Sequence, residues 1–329
     1  MKTKLIGMLI CVMLMTTLLA VAKPPQKIES KSSTETMSTA YDADVPVWEI
    51  GDQWTYKIDN INIVFNQTGT LFDLYLTIDE LPLRVSALNE TSYTLAFETT
   101  ISGNSKIDLD RGEGPINISI TFSNLELSGN IIFEKSTLGI KAFSGSFNGR
   151  FWVKIIQQPY FPIPWLPKFP VKIKSDLASD FSIPITPVMF PLNDSMMWNL
   201  SATNLTLNGE VRSPWLYLML LVNSIYPFLP SEVAALLPVV DIKDALTTLG
   251  PGNVIPMPMI AGAFFCNNTE PISVPAGIYD AYNITIVGGM AQCFYAPAAG
   301  NIVKLTGNIQ DLIPYITNIN MELLSTTYS

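Results

Sequence analysis

Histidine is missing altogether from this chain. Its absence removes the base of Ser-His-Asp and Cys-His nucleophile systems and the commonest transition-metal ligand, leaving carboxylate or Ser-Lys chemistry, for neither of which a signature is legible. Charge is sparse as well. Only 14% of residues are charged against 48% hydrophobic, so the chain stands far from the disordered class and has much apolar surface to hide. The net charge of −9 is opposite to what a phosphate backbone attracts, which argues against nucleic acid as a partner.

Cysteine is scarce too. Of three, Cys11 lies in the apolar start of the chain, leaving Cys266 and Cys293. They have no C-x-x-C spacing, so a redox or metal pair is not indicated. An even count in an exported chain favours a Cys266–Cys293 disulfide closing a loop of about 28 residues, worth roughly 3 kcal/mol by chain entropy. Two buried free thiols are the alternative.

Residues 1–22 read as an export signal, with Lys2 and Lys4 before an apolar run and Ala20-Val21-Ala22 as a small-residue cleavage site. The expected location is extracellular or at the cell surface. An uncleaved N-terminal membrane anchor is the alternative, since a run of about 18 residues is at the lower edge of a bilayer span. Eight Asn-x-Ser/Thr sequons, at Asn66, Asn89, Asn117, Asn193, Asn199, Asn204, Asn267 and Asn283, fit a glycoprotein.

Residues 23–46, rich in Ser, Thr, Lys and Glu, read as a disordered tether, and 47–329 as a single β-rich extracellular domain. From Trp48 to Ile156 polar and apolar residues alternate, with breaks expected over 66–69, at Leu81-Pro82, over 88–91, at Gly103-Asn104, over 111–115, at Gly129-Asn130 and over 143–149, as in an antiparallel meander. Residues 159–191 carry eight prolines among large apolar residues and read as an extended loop. A strand pair is expected at 197–200 and 205–211. A helical insert follows over 213–249, with Ser213 as cap, Pro214 at its first position and an apolar stretch over 215–226. Strands return at 260–266, 279–287, 290–295 and 302–309, with Gly288-Gly289 as a hairpin turn. The expected fold class is mainly β with a few helices (α+β): a large curved antiparallel meander sheet or half-barrel packed on an apolar helix pair.

The segment Trp48-Glu49-Ile50-Gly51-Asp52-Gln53-Trp54-Thr55-Tyr56 resembles the opening of a group of uncharacterised secreted archaeal and bacterial surface proteins with a W-x-x-G-D-x-W-x-Y start. Val274-Pro275-Ala276-Gly277-Ile278-Tyr279-Asp280-Ala281-Tyr282 and the Y-x-P-x-x-G bend of Tyr295-Ala296-Pro297-Ala298-Ala299-Gly300 are similar to that group's ending. The resemblance implies a curved sheet wrapped around helices, similar to lipoprotein-carrier half-barrels that hold lipid, although fold alone does not fix function.

The leading expectation is a non-enzymatic exported protein that binds a lipid or other apolar small molecule between sheet and helices, without a cofactor and with membrane or envelope contact. Candidate lining residues are Trp165, Phe169, Trp215, Leu218, Met219, Val222, Tyr226 and Phe228. A structural or adhesive envelope component and a secreted carboxylate-dependent hydrolase are the alternatives. Asp108-x-Asp110-x-x-Glu113, the one local acid cluster, lacks the spacing of a calcium hand and reads as a solvated turn, so no metal is expected.

Overall fold

Strands in this chain run for up to 20 residues at a stretch, twice the length that its glycines and prolines suggest. The computed structural model describes residues 43–67, 70–110, 115–157, 168–199, 204–212, 253–256, 263–286, 291–310 and 316–329. Among them are β1 (Gln53–Gln67), β2 (Thr70–Leu88), β3 (Ser92–Asp110), β4 (Pro115–Glu134), β5 (Ile140–Gln157), β6 (Phe169–Ile185), β7 (Met197–Asn199), β8 (Asn204–Arg212), β9 (Asn253–Pro256), β10 (Ala263–Val274), β11 (Gly277–Ile286), β12 (Ala291–Ala296), β13 (Asn301–Gly307) and β14 (Ile316–Thr326). They form one open antiparallel sheet in the order β7-β10-β11-β12-β13-β14-β1-β2-β3-β4-β5-β6-β8-β9. The meander expected from the first half is there as β1 to β6.

Three local expectations are corrected. Leu81-Pro82, Gly103-Asn104, Gly129-Asn130 and 143–149 lie inside strands, not between them. Pro82 is tolerated in β2 because β2 and β3 are unpaired between Thr77 and Arg84, so its missing N–H breaks no rung on that side. Second, the proline-rich stretch is not one loop: β6 occupies Phe169–Ile185. Its Pro170 and Pro184 fall outside the Lys174-to-Phe181 portion that β8 pairs with, so they sit where only one neighbour needs a rung. Third, the strands at 197–200 and 205–211 do not pair with each other. β7 joins β10, whereas β8 joins β6 and β9 near the opposite margin of the sheet. The expected helices over 213–249 and the Gly288-Gly289 turn lie outside the described residues, although β11 and β12, which that turn would join, do pair.

The long strands cross a line of irregularities at one common level. Register shifts occur between Ile58 and Ile61 of β1, Thr77 and Arg84 of β2, Ile101 and Gly103 of β3, and Phe122 and Glu126 of β4. Asn60 and Asn124 take φ of 55° and 53° there, a conformation that asparagine tolerates better than most residues. In β1, β2 and β4 the bulge inverts the phase of alternation, whereas β3 keeps its phase from Tyr93 to Ser105: β2 buries Phe72, Leu74, Leu76 and Ile78, then Leu81, Leu83 and Val85. The apolar set therefore stays on one face while the strands bend. The opposite half of the sheet curls as well, because β10 touches β14 although β11, β12 and β13 lie between them. The Ala276 N–H donates to the Leu323 carbonyl across that curl at 3.1 Å.

One end of the sheet, called the hub here, is tied by aromatic donors. Trp48 Nε1 donates to the Gly300 carbonyl at 3.1 Å, Trp54 Nε1 to Ala299 at 2.6 Å, and the Tyr56 hydroxyl to Ile302 at 2.9 Å. Trp48 also packs on Trp54, Tyr93 and Phe133, with ring centroids 4.9, 5.2 and 5.4 Å away. The acceptors belong to a 3-10 turn at Pro297–Ala299 and the residues just after it. Gly300 closes the turn at φ 61° with the Tyr328 ring against its Cα, so a side chain is excluded by both conformation and space. The W-x-x-G-D-x-W-x-Y and Y-x-P-x-x-G stretches are thus hydrogen-bonded to each other.

Trp54→Phe keeps an aromatic ring but leaves the buried Ala299 carbonyl without its donor, and we expect a loss of at least about 1–3 kcal/mol in denaturant unfolding. Trp152→Phe, at an exposed position, is expected to stay within about 0.5 kcal/mol of the parent in the same titration.

Candidate functional site

The buried face of β1 to β6 is apolar along its whole length. Near the hub its rows are closed: Leu95, Ile131 and Phe143 lie side by side, as do Tyr93 and Phe133, all buried. Toward the other end, the tip, where β1 runs to β2, β3 to β4 and β5 to β6, Ile107, Ile120, Phe151 and Ile173 are only partly buried while still facing this core. Three serines stand among these rows. Ser105, Ser175 and Ser179 are 3%, 1% and 1% exposed, and none of their hydroxyls has a hydrogen-bond partner among the described residues. Such hydroxyls represent unused hydrogen-bonding capacity in an apolar trough.

Of the lining residues expected from sequence, Phe169 starts β6 in the same phase as Ser175 and Leu177 and is half-buried. Trp165, Trp215, Leu218, Met219, Val222, Tyr226 and Phe228 lie outside the described residues. The inward residues of the long strands were missed as lining candidates. Their signal in sequence is the alternation itself, which reads equally well as plain core filling.

On the polar face a solvent-open groove of about 760 Å³ crosses β3 to β6, lined by Glu98, Ser128, Asn130, Ser144, Ser146, Asp176 and Ala178. It is shallow because its residues are small: Gly129 and Gly145 face each other beneath it, with the Phe97 and Phe143 rings stacked 5.9 Å apart on the other side. Glu98, Ser128, Ser146 and Asp176 form one cross-strand row, and Ser146 Oγ donates to Asp176 Oδ1 at 2.8 Å. The row places the two acids three strand spacings apart, on the order of 14 Å between main chains. No group of three or more His, Cys, Asp or Glu able to hold a metal occurs among the described residues. Glu113 of the Asp108 cluster lies outside them.

The Cys266–Cys293 bridge expected from sequence is not formed. Both thiols are free and buried. Cys266 and Cys293 each pair with Ile284, one on either side of β11. Two strand spacings, about 10 Å, separate them, beyond the roughly 7 Å that a disulfide spans. They are links in an apolar row that continues through Leu305 and Met321 to Ile58.

Among the sequons, Asn66, Asn89 and Asn199 are exposed. The Asn89 Oδ1 accepts from the Thr91 and Ser92 N–H groups at 2.9 and 2.7 Å, which leaves its Nδ2 clear. The Asn267 and Asn283 amides donate instead to Thr285 Oγ1 and Glu270 Oε1, both at 2.7 Å. Asn117 and Asn193 are half-buried, and the Asn204 side chain lies outside the described set.

Burial pushes both thiols up from 9.0 to about 12 and raises the phenols of Tyr56 and Tyr295 well above 10.0. The fold thus favours the neutral forms. Their contribution to stability is complete below the unfolded values, near pH 9, and is lost as pH rises toward 12. We expect the denaturation midpoint to fall steadily over that window, and two thiols to react with a disulfide reagent only after unfolding, with no reductant added. No family model, curated protein or solved structure matches the chain.

Proposed function

We propose that this chain is an exported, non-enzymatic surface protein that holds a lipid or similar long apolar molecule against the inner face of its sheet. One observation carries the reading: that face stays apolar to the tip, where Ile107, Ile120, Phe151 and Ile173 are not fully covered. Strands of 15 to 20 residues reach about 50–65 Å, so the apolar trough extends well beyond the tightly packed hub. The unpartnered hydroxyls of Ser105, Ser175 and Ser179 suit a ligand that is mostly hydrocarbon with a few acceptor groups. Export rests on residues 1–22. The apolar stretch over 213–249 is the segment that would cover the trough as a helix pair, giving a half-barrel with a lid.

The adhesive alternative gains little from the sheet margins. β7 and β9, the outermost strands among the described residues, are only three and four residues long. The hydrolase alternative draws on the outer groove with Glu98 and Asp176 at its two sides. A glycan screen with Glu98→Gln and Asp176→Asn as controls is expected to show no activity that either change removes.

Native mass spectrometry of gently extracted protein is expected to give a stoichiometric apolar adduct that organic solvent releases. The stripped protein should take up a fluorescent fatty acid, and Phe151→Asp should weaken that uptake at least tenfold. A bare-chain mass together with no uptake at micromolar probe overturns the reading.

A further inference from the structure

The chain is acidic overall, yet one strip of its polar face is free of acids. On β5 and β6 at the tip the outward positions are Arg150, Trp152, Lys154 and Ile156, and opposite them Pro170, Lys172 and Lys174, with Lys168 just before β6. All five cations are exposed. Trp152 and Ile156 between them are 40% and 56% exposed, large apolar surfaces turned to solvent. The neighbouring outward residues of β4, Ser119 and Thr121, are uncharged, and Lys106 of β3 extends the strip in register through Ser119 to Lys154. Acids begin on either side of it: Asp73 and Asp108 toward β2 and β3, Glu126, Asp176, Glu98 and Asp180 toward the hub.

Folding does not account for this arrangement. Arg150 lies directly opposite Lys172, a like-charge cross-strand pair that disfavours the sheet, and none of the five cations forms an ion pair among the described residues. A cost of this kind without a structural return marks a surface built for an outside partner. Its chemistry selects the partner. Cations alone would suit any polyanion, but an indole and an isoleucine set among them suit a layer with anionic headgroups above hydrocarbon, where tryptophan settles at the boundary. The acidic half of the same face is repelled by such a layer, so the charge gradient orients the sheet tip-first.

We propose that the tip of the β5–β6 face docks on an anionic membrane surface through Arg150, Lys154, Lys168, Lys172 and Lys174, with Trp152 and Ile156 as apolar contacts. This inference stands on the outer face and does not depend on a ligand in the trough.

Flotation with vesicles of neutral phosphatidylcholine, and of phosphatidylcholine with a third phosphatidylglycerol, tests it on the purified chain. Binding is expected only to the anionic vesicles and should weaken on raising salt from 50 to 500 mM. Lys154→Gln with Lys172→Gln should lower it about 25-fold, at roughly fivefold per cation, and Trp152→Ala severalfold. Circular dichroism of these exposed-site variants should match the parent. Equal binding to both vesicle types, or none to either, overturns the proposal. So does a strip that binds a soluble polyanion such as heparin as tightly as vesicles, with no effect of Trp152→Ala. The fatty-acid uptake assay reads the trough separately, so docking and ligand binding fail independently.

Discussion

Three buried hydrogen bonds, from Trp48, Trp54 and Tyr56 to the carbonyls of Gly300, Ala299 and Ile302, hold the two halves of the sheet as one. The 3-10 turn before β13 aims carbonyls into the core where no strand can reach them, and the indoles and phenol supply the missing donors. Donors and acceptors are 245 to 252 residues apart in the chain, so nothing local favours their meeting. β14 lies between β13 and β1, and its pairing with both is therefore backed on the core side by side chains that span it.

From that anchored end the strands run outward, and the line of bulges decides what they present. A strand of 19 residues with strict alternation would twist away from its neighbours' core; a one-residue insertion at a shared level in β1, β2 and β4 re-phases the apolar set and turns the strands together. Side chains take up the backbone groups so freed. The Asn124 N–H donates to Ser102 Oγ, and Thr99 Oγ1 to the Glu80 carbonyl. The sheet keeps one greasy and one polar face on both sides of the crease, although its sequence phase changes.

This phase change explains what sequence reasoning reached and what it did not. The alternation over Trp54 to Ile58 and Tyr93 to Phe97 led to strands, and strands are there. The run Phe72 to Val85 contains the bulge in plain view, as two alternating sets offset by Asp79 and Glu80, but Leu81-Pro82 read as an end because proline usually is one. Glycines at 129 and 145 misled in the same way: they are small because two phenylalanines lie over them, not because the chain turns. The thiols failed differently. Their even number and export context favoured a bond, and only the register, with Ile284 between them, shows that they are neighbours of a neighbour. The basic strip escaped notice because its cations are spread over two strands joined by a long connection, and net charge averages them away.

Both faces change character on passing the crease. Inside, on β3 to β6, tight rows of phenylalanine, leucine and isoleucine give way to Ile107, Ile120, Phe151 and Ile173, only partly covered; outside, on β5 and β6, carboxylates give way to lysine, arginine and an exposed indole. The two transitions need not coincide, since the residues that make them alternate along the same strands and obey different constraints: burial for one set, solvation for the other. On the proposed reading, a ligand-holding trough that loosens toward an end carrying positive charge would bring its mouth and its docking surface to the same layer. A trough opening at the hub would have to pass its cargo through the Trp48, Trp54 and Tyr56 side chains, which are almost fully buried and whose hydrogen bonds to the facing turn would have to break.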